Sequence, residues 1–549
     1  MNIYFSGIGG VGIGPLAEIA LDAGHHVQGS DPEESPTTER LTKRGIAINK
    51  KQKGMFLQAS HGMSPIDWFV YSSAVSDDHP ELAMARMLGI KTSKRDELLA
   101  YLLKETGLKL IAVAGTPGNT WTSAMLVWAM QQLEVPVSYS VGSTLSFGPG
   151  GKYDPESKYF IYECDEYDRN FLHYSPYLSL ITSIDYDHPD IYSSPEEYVK
   201  AFEQFIGQSE SSIMWQHDGK LMEAHDGILL KDNEIVDIKL PGLHTRQNAT
   251  LVLKTLERLS IAGDYSAAIE SFPGADRRFE KIGTNLYSDY GHHPTEIAAT
   301  LQMASELSDH VVLVYQPHQN IRQHEIRTQY TDCFEQADTV YWLPTYLSRE
   351  DPSLAILTAD ELTENITNVE DVYSAELDDE LWEVIQQARD AGKLVIFMGA
   401  GTIDTWLRKQ WNTHHVANVL VLNDEGAFVL QKRDDKPGIS NPGKLTAFGG
   451  AVEPSDISNL SAAHREINEE TNLDVSIDDL GYFKMYRKTQ ELHDEDSFVF
   501  FYILNGASTE GLEIYEGQGF ETINQNDLNH HPLSLLVRTV ITEYTHPLL

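Results

Sequence analysis

The chain is short of cysteine, of positive charge and of long apolar runs, and each shortage closes off a class of function. Two cysteines in 549 residues, Cys164 and Cys333, leave no disulfide framework. No run of 18 apolar residues occurs, so no segment is expected to span a bilayer. Lys and Arg number 41 against 82 Asp and Glu, a net charge of −41, and protonating all 21 His would still leave a large negative excess. A surface of that sign repels phosphate backbones and anionic membranes, which argues against nucleic acid or lipid as a partner, although surplus acid also serves solubility alone. These absences, with a strand-like start at Asn2, lead us to expect a soluble cytoplasmic protein.

With about 100 to 200 residues per domain, three to four domains are expected. Strand and helix patterns alternate from the start without repeats or low-complexity tracts, which predicts an α/β fold throughout.

Residues 1 to about 105 open with a strand at Asn2-Ile3-Tyr4-Phe5-Ser6, then Gly7-Ile8-Gly9-Gly10-Val11-Gly12, a helix through Leu16, Ile19 and Ala20, and a second strand at His26 and Val27. A G-x-G-x-x-G turn between strand and helix suits a diphosphate, with Asp31 placed for a ribose; a doubly wound sheet with no ligand carries the same pattern.

From about 106 to 270, the apolar strand Leu110 to Ala114 feeds Gly115-Thr116-Pro117-Gly118-Asn119-Thr120-Trp121-Thr122, which aims backbone N–H groups and a helix start at an anion. Asn119 stands where such loops carry lysine. Losing one preorganised charge of that kind typically costs about 100- to 1000-fold in rate. Further on come Glu163-Cys164-Asp165-Glu166-Tyr167-Asp168 and, after the apolar strand Leu178 to Ile184, Asp185-Tyr186-Asp187-His188. A carboxylate and an imidazole at the ends of neighbouring strands, facing the Thr120 hydroxyl, can form a magnesium site beside a triphosphate. Gly242-Leu243-His244-Thr245-Arg246-Gln247-Asn248-Ala249 then opens a helix, where Thr and Asn also act as ordinary caps.

Residues from about 271 to 412 contain Arg277-Arg278-Phe279-Glu280, Asp289-Tyr290-Gly291-His292-His293-Pro294, Gln316-Pro317-His318-Gln319-Asn320-Ile321-Arg322 and Met398-Gly399-Ala400-Gly401. From about 416 to 549 the character changes. Strands are expected at Val416 to Leu422 and Ala427 to Lys432, ahead of Gly449-Gly450-Ala451-Val452-Glu453 and Arg465-Glu466-Ile467-Asn468-Glu469-Glu470-Thr471-Asn472. Glu466, Glu469 and Glu470 fall at i, i+3 and i+4, so one helical face carries three carboxylates that can gather divalent cations. The bland alternative is a solvated acidic helix.

Over roughly its first 410 residues the ordered set of motifs resembles the Mur ligases of peptidoglycan synthesis, and over its last quarter the Nudix hydrolases. The first resemblance implies a UDP-sugar-binding Rossmann-like domain over 1–105, a central ATPase-like domain over 106–270 and a C-terminal ligase domain over 271–412; the second implies an α/β/α Nudix domain over 416–549. It implies that Gly7, Gly9, Gly10, Val11, Gly12, Asp31, Ser72 and Ser73, with His292 and His293, serve the sugar substrate. Gly115, Thr116, Gly118, Thr120, Thr122, His244, Asn248, Arg278 and Asp289 would serve ATP. Thr120, Glu163 and His188 would hold Mg2+, His318 and Arg322 would grip the amino acid or sugar carboxylate, and Glu466, Glu469 and Glu470 would hold Mg2+ in the hydrolase. The implied reaction joins L-alanine to UDP-N-acetylmuramate at the expense of ATP, beside hydrolysis of a nucleoside diphosphate derivative.

Departures cluster on the nucleotide side: Pro117, Asn119, Trp121, Thr245 and Gln319 each replace a family residue. A second reading therefore stands beside the first, a ligase part that only binds nucleotide or UDP-sugar while the Nudix part is the enzyme. In the Nudix segment Asp456 stands near the usual glutamate, Arg465 lies one residue late, and Asn472 replaces a glycine, where it is expected to tolerate a left-handed backbone.

Overall fold

A computed structural model of the chain describes residues 1–72, 75–143, 145–186, 191–220, 227–348, 350–366, 371–488 and 496–546. Ser73 and His188 lie outside the described residues. By contact the chain forms two compact units, Met1–Glu280 with Thr295–Leu307, and Lys281–Pro294 with Ser308–Leu549. No described helix is long and apolar enough to cross a membrane.

The first unit contains two sheets. In one, five parallel strands run in the order Ile48–Asn49, His26–Ser30, Asn2–Ser6, Trp68–Tyr71, Lys91–Lys94. All five residues of Asn2–Ser6 are buried, as expected of a central parallel strand covered on both faces. The second sheet runs Ile228–Leu230, Ser212–Trp215, Leu178–Ile184, Lys109–Thr116, Tyr159–Glu163, Ser138–Ser140, Gly151–Lys152, with only the last pair antiparallel. Thus Lys109–Thr116 lies between the strands that end at Ile184 and Glu163, and the phosphate loop leaves the sheet where both neighbours present their carboxyl ends.

The helix Asn119–Gln132 is apolar nearly all round and correspondingly enclosed. Trp121 meets Phe272 edge-on at 5.3 Å, and Trp128, seven residues on, meets Phe147 at 5.0 Å, so the two rings line one helix face against a shared aromatic cluster. The helix Leu243–Arg258 packs on the stretch Thr295–Leu307. Arg246 grips Glu306 through two contacts, 2.8 and 2.9 Å, which hold the Glu306 carboxyl down at about 2. Thr245 is buried with its hydroxyl 3.8 Å from the Met303 sulfur.

The second unit carries a six-stranded sheet, Glu280–Gly283, Leu286–Asp289, Leu394–Met398, Val311–Tyr315, Thr339–Trp342, Asp371–Ser374, whose described pairings are parallel. A mixed sheet follows, built on His414–Asn423 and Ser497–Ala507, with Phe428–Lys432 and Leu480–Lys488 on either side. One apolar core is continuous between the two: Leu381, Trp382 and Ile385 of the helix Asp379–Asp390 share it with Ala462, Ala463, Ile467 and Phe498.

The expectation for Asn472 is corrected. It does not take a positive φ. The helix Asn459–Glu470 ends in an extended Thr471, and Asn472 bonds by its side chain to Gly511 O and Glu513 N, both at 2.9 Å. The amide ties the helix end to a neighbouring segment, so no left-handed turn is needed.

Candidate functional site

The loop expected to take phosphate joins the strand Lys109–Thr116 directly to the helix Asn119–Gln132. Gly118 precedes the helix Asn119–Gln132 with φ +111°, a conformation that favours glycine, and a Cβ there would lie 3.0 Å from the Asn248 side chain. The Asn248 side chain therefore lies against the loop. Asn119 does more than omit a charge. Its Oδ1 accepts from Thr120 N at 2.8 Å, so the side chain occupies one of the first-turn N–H groups that would otherwise face an anion.

Beside it, Thr120 and Glu163 meet. The buried Thr120 hydroxyl donates to Glu163 Oε1 at 2.6 Å, and Gly142 N donates to Oε2 at 2.6 Å. Thr116 bonds the buried Glu166, which Tyr198 also reaches at 3.3 Å. Thr122 is fully buried inside the helix packing, away from any open face. His244 is half-buried, and desolvation pulls its imidazole down to about 4, so it is neutral at pH 7. Arg278 reaches Glu296 at 3.5 Å.

At the glycine turn of the first sheet, Gly9 N donates to Asp31 Oδ2 at 2.8 Å, tying the turn to the end of the second strand. Ser72 lies alongside, its Cβ 3.7 Å from where a Cβ on Gly7 would stand. Gly10 closes the turn on Gly7 O, and Val11 is exposed at 69%.

In the second unit, His292, His318 and Tyr346 form a ring series: His292 and His318 centroids lie 5.4 Å apart, and His318 stacks on Tyr346 at 5.7 Å. Tyr315 OH reaches His292 O at 3.2 Å. Arg322 and His293 are buried nearby in sequence, and Asp289 is buried with Oδ1 receiving Gly291 N at 2.7 Å. Gln319, in place of a family arginine, takes φ +61° and precedes the helix Asn320–Ile326.

On the helix Asn459–Glu470, Arg465 organises the acidic face. It reaches Asp456 at 2.9 Å, Glu466 at 2.7 Å and Glu469 at 3.1 Å, so Asp456 takes up the arginine from just ahead of the helix despite the extra residue. Glu470 is buried, accepting from Gly449 N at 2.9 Å and Gln431 Nε2 at 3.1 Å, and desolvation pushes its carboxyl up to about 7. Glu466 is raised by the same cause, and Glu469 is exposed. Among the described residues no three His, Cys, Asp or Glu side chains converge as a ready metal cage.

Sequence reasoning missed Gly142, Gln431 and Arg95. The first two hold carboxylates through groups that no motif marks. Arg95 starts the helix Arg95–Thr106, where a cation opposes the helix dipole, and that misfit was the available signal.

Residues 2–106 match the Mur ligase family catalytic domain, 277–401 the Mur ligase glutamate ligase domain and 412–532 the NUDIX domain. The chain is similar to the UDP-N-acetylmuramate–L-alanine ligase of Nocardioides sp., 32% identical over 428 residues that cover 73% of this chain and 94% of that protein. Its counterpart from Carboxydothermus hydrogenoformans is 32% identical over 452 residues, covering 74% and 95%. Among solved structures, the UDP-N-acetylmuramate-alanine ligase of Thermotoga maritima aligns with a TM-score of 0.58 and 26% identity over 74% of this chain and 98% of that one. A murein peptide ligase from Psychrobacter arcticus, at 21% identity and a TM-score of 0.51, shares the fold. The chain belongs to the Mur ligase family and carries a NUDIX domain behind its ligase part.

Proposed function

We propose that the ligase part joins L-alanine to the lactyl carboxylate of UDP-N-acetylmuramate in the cytoplasm, consuming ATP, and that the NUDIX part hydrolyses a nucleoside diphosphate derivative with Mg2+. The division into 1–105, 106–270, 271–412 and 416–549 belongs to this proposal. The observation that carries it is the Thr120–Glu163 contact of 2.6 Å beside an intact glycine turn. Two hard oxygen donors at that spacing suit Mg2+, with His188 as the third donor by resemblance. Mg2+, when bound, neutralises charge on the phosphoryl oxygens.

The chain's own groups position the reactants. Of the Gly115–Thr120 turn, the backbone N–H groups other than Thr120 N, which Asn119 takes up, would face the phosphates, and Gly142 N fixes the second oxygen of Glu163, leaving the first for Thr120. The sugar carboxylate attacks the γ-phosphorus of ATP, breaking its bond to the bridging oxygen so that ADP leaves and an acyl phosphate forms; the amine of alanine then attacks the acyl carbon, loses a proton and expels inorganic phosphate. His318 and Arg322 would hold a carboxylate while this happens. In the NUDIX part, Arg465 fixes Glu466 and Glu469, and Glu470 sits against the Gly449 backbone.

A second reading, a ligase part that binds without turnover, is favoured by the Asn119 side chain bonded to Thr120 N. Phosphate release from ATP with UDP-N-acetylmuramate, L-alanine and Mg2+, in a Glu470→Gln background that silences the hydrolase, separates the two. Turnover abolished by Glu163→Gln supports ligation. No turnover from the chain with Asn119 in place transfers the enzymatic role to the NUDIX part.

A further inference from the structure

The first unit holds a small cavity of about 30 Å3 whose lining includes Val11, Gly12, Arg95, Gly142, Tyr162 and Glu163. It joins two features that the fold otherwise treats separately, the glycine turn of the first sheet and the carboxylate that meets Thr120. Among the described residues that line it, Arg95 is the sole cation. Its side chain is 29% exposed, and its ion pairs are long, 3.5 Å to Asp96 and 3.5 Å to Asp165. A charge-assisted N–H···O bond is nearer 2.8 Å, so neither carboxylate takes up the guanidinium at full strength. Lys94 and Arg246, by contrast, are taken up at 2.8 Å by Asp168 and Glu306.

Gly12 bears on the same point. A Cβ at this position would lie 2.6 Å from Arg95 Nη1, so a glycine here lets the guanidinium come up against the turn expected to hold the diphosphate. Without Arg95, the one charged group among the described residues lining the cavity would be Glu163, which would meet an incoming anion with like charge.

We propose that Arg95 is an anion-binding residue of the ligase, which holds an oxyanion of the UDP-sugar substrate between the Gly12 turn and Glu163 and supplies positive charge that Asn119 does not. The proposal rests on the ligase reading for its substrate. The ligand chemistry is a carboxylate or a phosphate presenting two oxygens to a planar fork.

Calorimetric titration of the full chain with UDP-N-acetylmuramate and with UDP-N-acetylglucosamine, which lacks the lactyl carboxylate, tests it. Arg95→Ala is expected to weaken UDP-N-acetylmuramate binding by about 10- to 100-fold, the weight of a charge-assisted hydrogen bond, with Arg95→Lys recovering part. Equal losses for both sugars assign the contact to the diphosphate, and a loss confined to the muramate assigns it to the carboxylate. In turnover, Asn119→Lys should raise the rate by a larger factor in the Arg95→Ala background than in the natural chain, because one cation then stands in for the other. An Arg95→Ala chain that melts like the natural one and binds both sugars unchanged overturns the proposal, leaving Arg95 to neutralise Asp96 and Asp165. If that variant does not fold, equal affinities of Arg95→Lys and Arg95→Gln overturn it instead. Binding that depends on Arg95 in a chain without turnover sinks the ligase reading and leaves this assignment standing.

Discussion

Asp390, the last residue of a ligase-part helix, accepts the backbone N–H of Leu460 at 3.0 Å, in the first turn of the helix that carries Glu466, Glu469 and Glu470. The same carboxylate receives the Tyr502 hydroxyl. Around it, Gln386 meets Asn459 at 3.1 Å, Glu383 receives Met485 N at 2.8 Å, and Asp379 pairs with Arg487 at 2.8 Å. A negative group at a helix N-terminus is favoured by the helix dipole, and here that group comes from another domain. Asp390→Ala leaves a buried N–H and a buried hydroxyl without an acceptor. Denaturant unfolding is expected to show a loss of about 2 to 4 kcal/mol. Combined with Tyr502→Phe the losses should not add, since both report one network. Additive losses would refute the shared role.

His415 carries the acid sensitivity of the same region. Its ring lies 5.9 Å from Trp382, 5.6 Å from Phe498 and 5.4 Å from Phe500, and burial pulls its imidazole down to about 4. The folded value lies below the unfolded one of about 6.5, so the neutral ring's contribution is complete above pH 6.5 and is lost as pH falls through 4. His415→Gln should flatten the acid limb of the stability curve in that window by up to about 1.4 kcal/mol per pH unit. An unchanged slope would mean that other groups set the limb.

The parallel sheets were legible because their strands read as apolar runs broken by glycine turns: Asn2–Ser6 and Leu178–Ile184 appear where the pattern put them. The Glu466, Glu469, Glu470 face followed from helical spacing, and the helix Asn459–Glu470 presents it. What the pattern could not show were contacts made across the fold. Thr245 departs from the family pattern, yet its hydroxyl lies against the sulfur of Met303, far away in sequence. Asn119 reads as a missing charge in the sequence, and in the fold its amide oxygen also accepts the Thr120 N–H. The packing of Trp382 against Phe498 joins segments that composition had separated.

Glu470 sets function against stability with the opposite sign to His415. Its carboxyl is pushed up to about 7, above the ordinary value of 4.5, so the protonated form is favoured in the fold. That contribution is complete below about pH 4.5 and is lost as pH rises through 7. Glu470→Gln should therefore gain stability relative to the natural chain between pH 5 and pH 8, while the proposed Mg2+-dependent hydrolysis of a nucleoside diphosphate derivative falls by at least about 100-fold. Melting curves at the two pH values check the first part. A stability difference that does not change with pH would show that the buried carboxyl is not the titrating group.

Trp121 separates packing from obstruction. A bulky ring at the start of the phosphate-loop helix suggests a plug that a threonine would remove. The structure instead sets the ring edge-on to Phe272, itself 6.2 Å from Phe147, with the Gly274 position about 3.8 Å from the indole. The loss on truncation is then that of a packed aromatic. Trp121→Thr is expected to cost about 3 kcal/mol in unfolding free energy, from lost contact area plus the cavity left beside Phe272. Nucleotide affinity, read by calorimetry with Mg-ATP at a temperature where the variant is folded, should move little, because the amides and the Thr120–Glu163 pair are untouched. A tenfold or greater gain in affinity would show that the indole blocks the site.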